Sequence, residues 1–176
     1  MAAYYIYLMA SLPMLHFGMK APFSYEKFLL MCKDLIPEKE IAMLEAIGRG
    51  DEHIYRDSFP TLREWSRFNT AVRNELVRIR AGHKHVDPAK YLRHEEYYDS
   101  SISHIAINAH RNPSILEAEG MLDAERCLAL DEISAGHYFD VDILIAYAYK
   151  LLILEKWDMV RAADRQQLLL EAIRTS

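Results

Sequence analysis

The sequence predicts an all-α protein, a single-domain bundle of six or seven helices over residues 1–176. Three observations predict it. Between Ile143 and Leu154 the only charged residue is Lys150. A helix in water keeps a polar face, so Phe139 to Trp157 reads as a helix buried nearly all round, in its own fold or against a partner. That run is shorter than the roughly 20 apolar residues that span a bilayer. Second, apolar residues recur at three- and four-residue steps between capping signals. Third, strand signals are weak, and only Tyr4 to Leu8 has the aromatic and β-branched content of a strand.

The elements follow in order. Met1 to Met19 is apolar and its first Lys or Arg neighbour is Lys20. A secretory signal needs a positive start, so this segment is read as mature, core-packed structure. Ser24 is placed to cap a helix with Phe28, Leu29, Cys32, Leu35 and Ile36, stopped by Pro37. Pro37 fits the first turn of the next helix, whose Glu38 and Glu40 suit the positive end. That helix carries Ile41, Leu44 and Ile47 and ends at Gly48. Gly50 to Phe59 is a connection. Thr61-Leu62-Arg63-Glu64 has the capping-box pattern and opens a helix with Leu62, Trp65, Phe68, Val72, Leu76 and Ile79, closed by Gly82. Asp87-Pro88 starts a helix through Tyr91, Leu92, Tyr98, Ile102 and Ile105. Asn112-Pro113 restarts the chain into a helix with Ile115, Leu116, Leu122 and Leu128, ending near Ser134 to Gly136. Asp140 caps the buried helix, and Asp164 caps a last one with Leu168, Leu169 and Ile173.

Composition narrows the function classes. The chain is long enough for one substantial core, burying roughly two thirds of its unfolded surface. A formal net charge of −5 argues against a protein built to hold nucleic-acid phosphates. Cys32 and Cys127 lie far apart and match no metal spacing, so they read as reduced core residues of a cytoplasmic protein.

Catalytic motifs are incomplete or missing. His94-Glu95-Glu96-Tyr97-Tyr98 is one residue from the zinc-protease pattern H-E-x-x-H, but the second histidine is replaced by Tyr98. A solvated polar helix face accounts for it more simply. His83-Lys84-His85 puts two histidines within reach of one metal, with a lysine between them that opposes a cation. Ser100-Ser101 has no nucleophile-elbow context, and there is no phosphate-binding glycine loop. No cofactor is therefore expected. The stretch Arg63 to Arg93 is rich in base. At about 100° per residue, Arg63, Arg67 and Arg78 fall opposite Trp65, Val72 and Ile79. These three form either an ordinary solvated face or a docking face for an acidic partner.

Both ends of the chain carry a resemblance. Tyr5-x-Tyr7-x-x-Ala10 resembles the opening of the C (or d) subunit of archaeal/vacuolar-type rotary ATPases. Leu144-Ile145-Ala146-Tyr147 followed by Glu155 is similar to that subunit's C-terminal helix. Ser11 stands where the C subunit usually has arginine, and the chain is about half as long. More of the chain resembles a bacterial family encoded within V-type ATPase operons. The shared residues are the opening Tyr4 to Pro13, the helix start Pro22-Phe23-Ser24, and Phe28-Leu29 to Cys32. The resemblance implies a non-catalytic accessory or central-stalk subunit of a bacterial V-type ATPase. It would touch other ATPase subunits of the stalk or rotor ring, without inserting in the membrane. Two alternatives stand beside it. One is a metal-dependent helical enzyme using His83, His85, His94 and Glu95, and the other is a stand-alone helical adaptor.

Overall fold

The computed structural model describes residues 2–93 and 100–174, without the side chains of residues 2, 3, 100 and 165–174. It is all-helical, with seven α-helices and no strand among the described residues. They are α1 (Ala2–Ser11), α2 (Tyr25–Cys32), α3 (Glu38–Arg49), α4 (Pro60–Lys84), α5 (Ser100–Arg111), α6 (Ile115–Ile133) and α7 (Val141–Arg174). The chain divides into two compact units, one of Met1–His53 with His137–Ser176 and the other of Ile54–Gly136.

The first unit contains α1, α2, α3 and α7. Its core holds Leu8, Phe28, Cys32, Met43, Leu44 and Ile47 with Leu144, Ala148 and Leu151 of α7. The stretch Leu144 to Leu151 is buried at every position, Lys150 included, as an apolar run broken only by that lysine requires. Leu152 is only half-buried. The segment before α2 is strapped to α7 by polar groups. Arg161 donates to the Met19 carbonyl at 3.2 Å. The Ala21 N–H donates to Asp158 at 2.9 Å, and the Tyr25 N–H donates to Glu155 at 3.0 Å. Tyr147 sits between Phe23 and Phe28, with ring centroids 6.5 and 5.3 Å away.

The second unit packs α4, α5 and α6 against one another. Leu62, Trp65, Phe68 and Val72 of α4 are buried, and Trp65 and Phe68 stack at 5.9 Å. Leu76 and Ile79 are half-buried. Asp123 is buried and answered by Arg126 at 2.6 Å, and Arg126 also donates to Asn69 at 3.2 Å.

Several sequence expectations are corrected. Tyr4 to Leu8 is helix, with the buried Tyr5 and Leu8 one turn apart and Tyr5 hydrogen-bonded to Glu40. α2 is capped by Ser24, which accepts from the Lys27 N–H at 3.2 Å. It ends at Cys32 rather than at Pro37, and Asp34 beyond it is left-handed at φ 65°. Pro37 is the N-cap of α3, and the left-handed C-cap is Gly50 at φ 77°, two residues past Gly48. α4 starts at Pro60 behind an N-cap at Phe59, so Thr61 lies inside the helix and no capping box forms. α4 runs past Gly82 to Lys84.

The helix expected from Pro88 is a single 3-10 turn, Pro88–Lys90. The reason is Asn74. Its amide donates to the Arg93 carbonyl at 2.8 Å and accepts from the Arg93 N–H at 3.0 Å, so both backbone groups of Arg93 are tied to α4. Tyr98 of that expected helix lies outside the described residues. Asp140 does cap α7, accepting from the Ile143 N–H at 3.2 Å. Asp164 starts nothing, because α7 continues through it. No Pro or Gly interrupts the chain there, and a capping residue acts only where the backbone has left the helix.

Candidate functional site

The basic face of α4 is where the spacing puts it, and its charge is largely answered from within the second unit. Arg67 pairs with Glu64 at 3.1 Å and Arg63 approaches the same carboxylate at 3.9 Å. Arg78 pairs with Glu75 at 2.6 Å, and Glu75 also accepts from Ser103 at 3.0 Å. All three arginines are exposed. Exposed pairs at this spacing are worth well under about 1 kcal/mol each, and the two carboxylates reduce the field that the three arginines present to a partner. Helical projection finds the arginines; the carboxylates interleaved with them decide what the face presents.

Of the residues named for the metal-enzyme alternative, His83 and His85 are described. His85 is the left-handed C-cap of α4 at φ 53° and is exposed. His83 meets His110 of α5, with ring centroids 4.7 Å apart, beside a cavity of about 460 Å³ that Arg111 also lines. No third histidine, cysteine or carboxylate joins that pair among the described residues. His94 and Glu95 lie outside the described residues.

A different group comes together at the start of α7. Donor atoms of His137, Asp140 and Asp142 lie within 4.8 Å of one another. His137 Nδ1 is 2.6 Å from Asp140 and 3.8 Å from Asp142. The hydrogen bond to Asp140 raises the imidazole's pKa, with the two carboxylate charges adding to it. One nitrogen and two carboxylate donors suit a borderline divalent cation. The same three groups also make a self-contained ion pair at a helix start, where carboxylates are stabilised by the dipole. The sequence marks Asp140 only as a cap. The signal for the rest is His137 three residues before that cap.

The residues quoted for the ATPase resemblance all fall in the first unit, and several of them are structural there. Phe23, Phe28 and Tyr147 form the aromatic stack, Glu155 accepts from Tyr25, and Tyr5 bonds Glu40. Other residues of the opening point outward, with Tyr4 and Ile6 exposed and Tyr7 74% exposed. Burial raises the pKa of the Cys32 thiol to about 12, so it is an inert core group at neutral pH. No helix of the described residues is long and apolar enough to cross a membrane. No family model matches the chain, and no curated protein or solved structure matches it.

Proposed function

We propose that this chain is a non-catalytic helical binding subunit, and that the assembly it serves is a V-type rotary ATPase. It would act as an accessory or central-stalk component on the cytoplasmic side of the membrane. The observation that carries this reading is where the resemblance residues lie. They are drawn from Tyr4 to Pro13, Pro22 to Cys32 and Leu144 to Glu155, and they gather in the unit made from both chain ends. The exposed aromatic side of α1 belongs to the same unit and supplies apolar surface for a partner. The arginine face of α4 is at most a steering element, because Glu64 and Glu75 already answer it.

The test is a pair of surface variants in a tagged chain expressed in its own cell. Tyr7→Glu with Ile6→Glu should leave the circular dichroism spectrum unchanged and deplete ATPase subunits from the eluate. Reversing Arg63, Arg67 and Arg78 together should slow association slightly without abolishing it. Unchanged recovery of ATPase subunits with the α1 variant would remove α1 from the interface.

A further inference from the structure

We infer that the groove between α2 and α3 is a docking site for a basic amphipathic helix of a partner protein. This inference stands apart from the ATPase reading. The groove lies wholly within the first unit and encloses about 760 Å³. Its floor is apolar, with Leu29, Ile41 and Ala42 half-buried. Leu30 stands at its edge, 70% exposed. Leu30 and the floor residues line one groove together, and a contiguous apolar surface rimmed by polar groups is the kind that marks a contact site.

The two helices give the groove its shape. Glu26 and Leu30 of α2, with Lys33 at its C-cap, follow at four- and three-residue steps. Along α3, Glu38, Ile41, Ala42 and Glu45 do the same. Each row therefore has an apolar middle and charged ends. α2 and α3 have 8 and 12 residues, so the trough is about 12–18 Å long and takes two to three turns of a helix.

Charge selects the occupant. Glu26, Asp34, Glu38 and Glu45 line the rim against Lys33 alone. Arg49 pairs with Glu45 at 3.6 Å from the far end of α3, which still leaves the rim acidic. The complementary ligand presents leucine-like anchors at i, i+3 and i+7 with Lys or Arg on either flank. An acidic helix would be repelled, and a purely apolar one would leave the rim carboxylates desolvated.

The experiment uses the full chain and two synthetic fluorescent peptides. One is a helix-forming peptide with leucines at those positions flanked by lysine and arginine. The other has the cations replaced by glutamate. Fluorescence anisotropy at low and at physiological salt should show saturable binding of the cationic peptide, weakening with salt, and none of the acidic one. Leu30→Asp should weaken the cationic peptide by about ten- to hundredfold. That variant makes the protein more negative, so simple charge attraction would strengthen binding instead. Leu30 is a surface residue, and an unchanged circular dichroism spectrum will show the fold intact. A second variant, Glu26→Lys with Glu38→Lys, should flatten the salt dependence. Equal binding of both peptides, or Leu30→Asp binding as tightly as the unaltered chain, overturns the inference. So does a self-associated chain that Leu30→Asp dissociates, because the groove is then filled by a second copy.

Discussion

Gly48→Ala separates two effects of opposite sign. In an unobstructed helix the change stabilises by up to about 1 kcal/mol, and by less this close to the helix end. In α3 the new Cβ would lie 2.6 Å from Tyr25 Cε1 and 3.0 Å from Cδ1. Tyr25 cannot easily swing away. It is buried, its hydroxyl donates to the Leu44 carbonyl at 2.7 Å, its N–H is held by Glu155, and its ring packs on Phe28 at 5.7 Å. Overpacking of this kind costs about 1–3 kcal/mol. The overpacking wins, and Gly48→Ala should destabilise the first unit by about 0.5–2 kcal/mol. Gly82→Ala in α4 is the control, because an added Cβ there meets nothing within 4 Å. It should stabilise the second unit by up to about 1 kcal/mol. Urea unfolding followed by tryptophan fluorescence has one reporter in each unit, Trp157 in the first and Trp65 in the second. Replacing either tryptophan by phenylalanine leaves the other as the reporter. Equal stabilisation by the two substitutions would refute the steric account of Gly48.

Three further outcomes are expected. Leu151→Ala, at a position with no exposure, should cost about 2–5 kcal/mol in the same assay; a loss under about 0.5 kcal/mol would mean the α7 core is not closed. Tyr147→Phe should be neutral or slightly stabilising, because its buried hydroxyl has no hydrogen-bond partner among the described residues. Tyr25→Phe, which removes the bond to Leu44, should cost about 1 kcal/mol, so thermal melts should rank the two variants in that order. Finally, the Asp140 hydrogen bond raises the His137 pKa in the folded state. Protonation therefore favours folding. The stability lost in His137→Ala should be fully present below about pH 6.5, the unfolded imidazole value, and should vanish as pH rises through the higher folded value. A deficit that grows with pH would contradict this assignment.

The helices were legible where apolar spacing and chain punctuation agreed. Leu62, Trp65, Phe68 and Val72 announce α4, and the run from Ile143 announces α7. Boundaries failed where a distant group decided them. Asn74 of α4 holds both backbone groups of Arg93 just beyond the turn at Pro88, and nothing local to Arg93 signals it. Gly48 looked like a helix stop, yet it is a glycine because Tyr25 crosses there. Tyr4 to Leu8 has strand-like residues, and tertiary contacts of Tyr5 and Leu8 make it helix. The candidate sites were less legible than the fold. The arginine face could be projected, but its neutralisation by Glu64 and Glu75 depends on rotamers. The acidic groove needs α2 and α3 side by side, and the pairing of His137 with Asp140 and Asp142 needs the turn into α7. The joining of both chain ends in one unit leaves no mark in linear composition.

The most direct test of the functional reading is affinity purification of the tagged full chain from its own organism in gentle detergent, with quantitative identification of the eluate. The account predicts stalk or rotor-ring subunits of a V-type ATPase, recovered in constant ratio to the bait and without ATP hydrolysis by the chain alone. An eluate free of ATPase subunits would contradict it and leave a stand-alone helical adaptor as the better description.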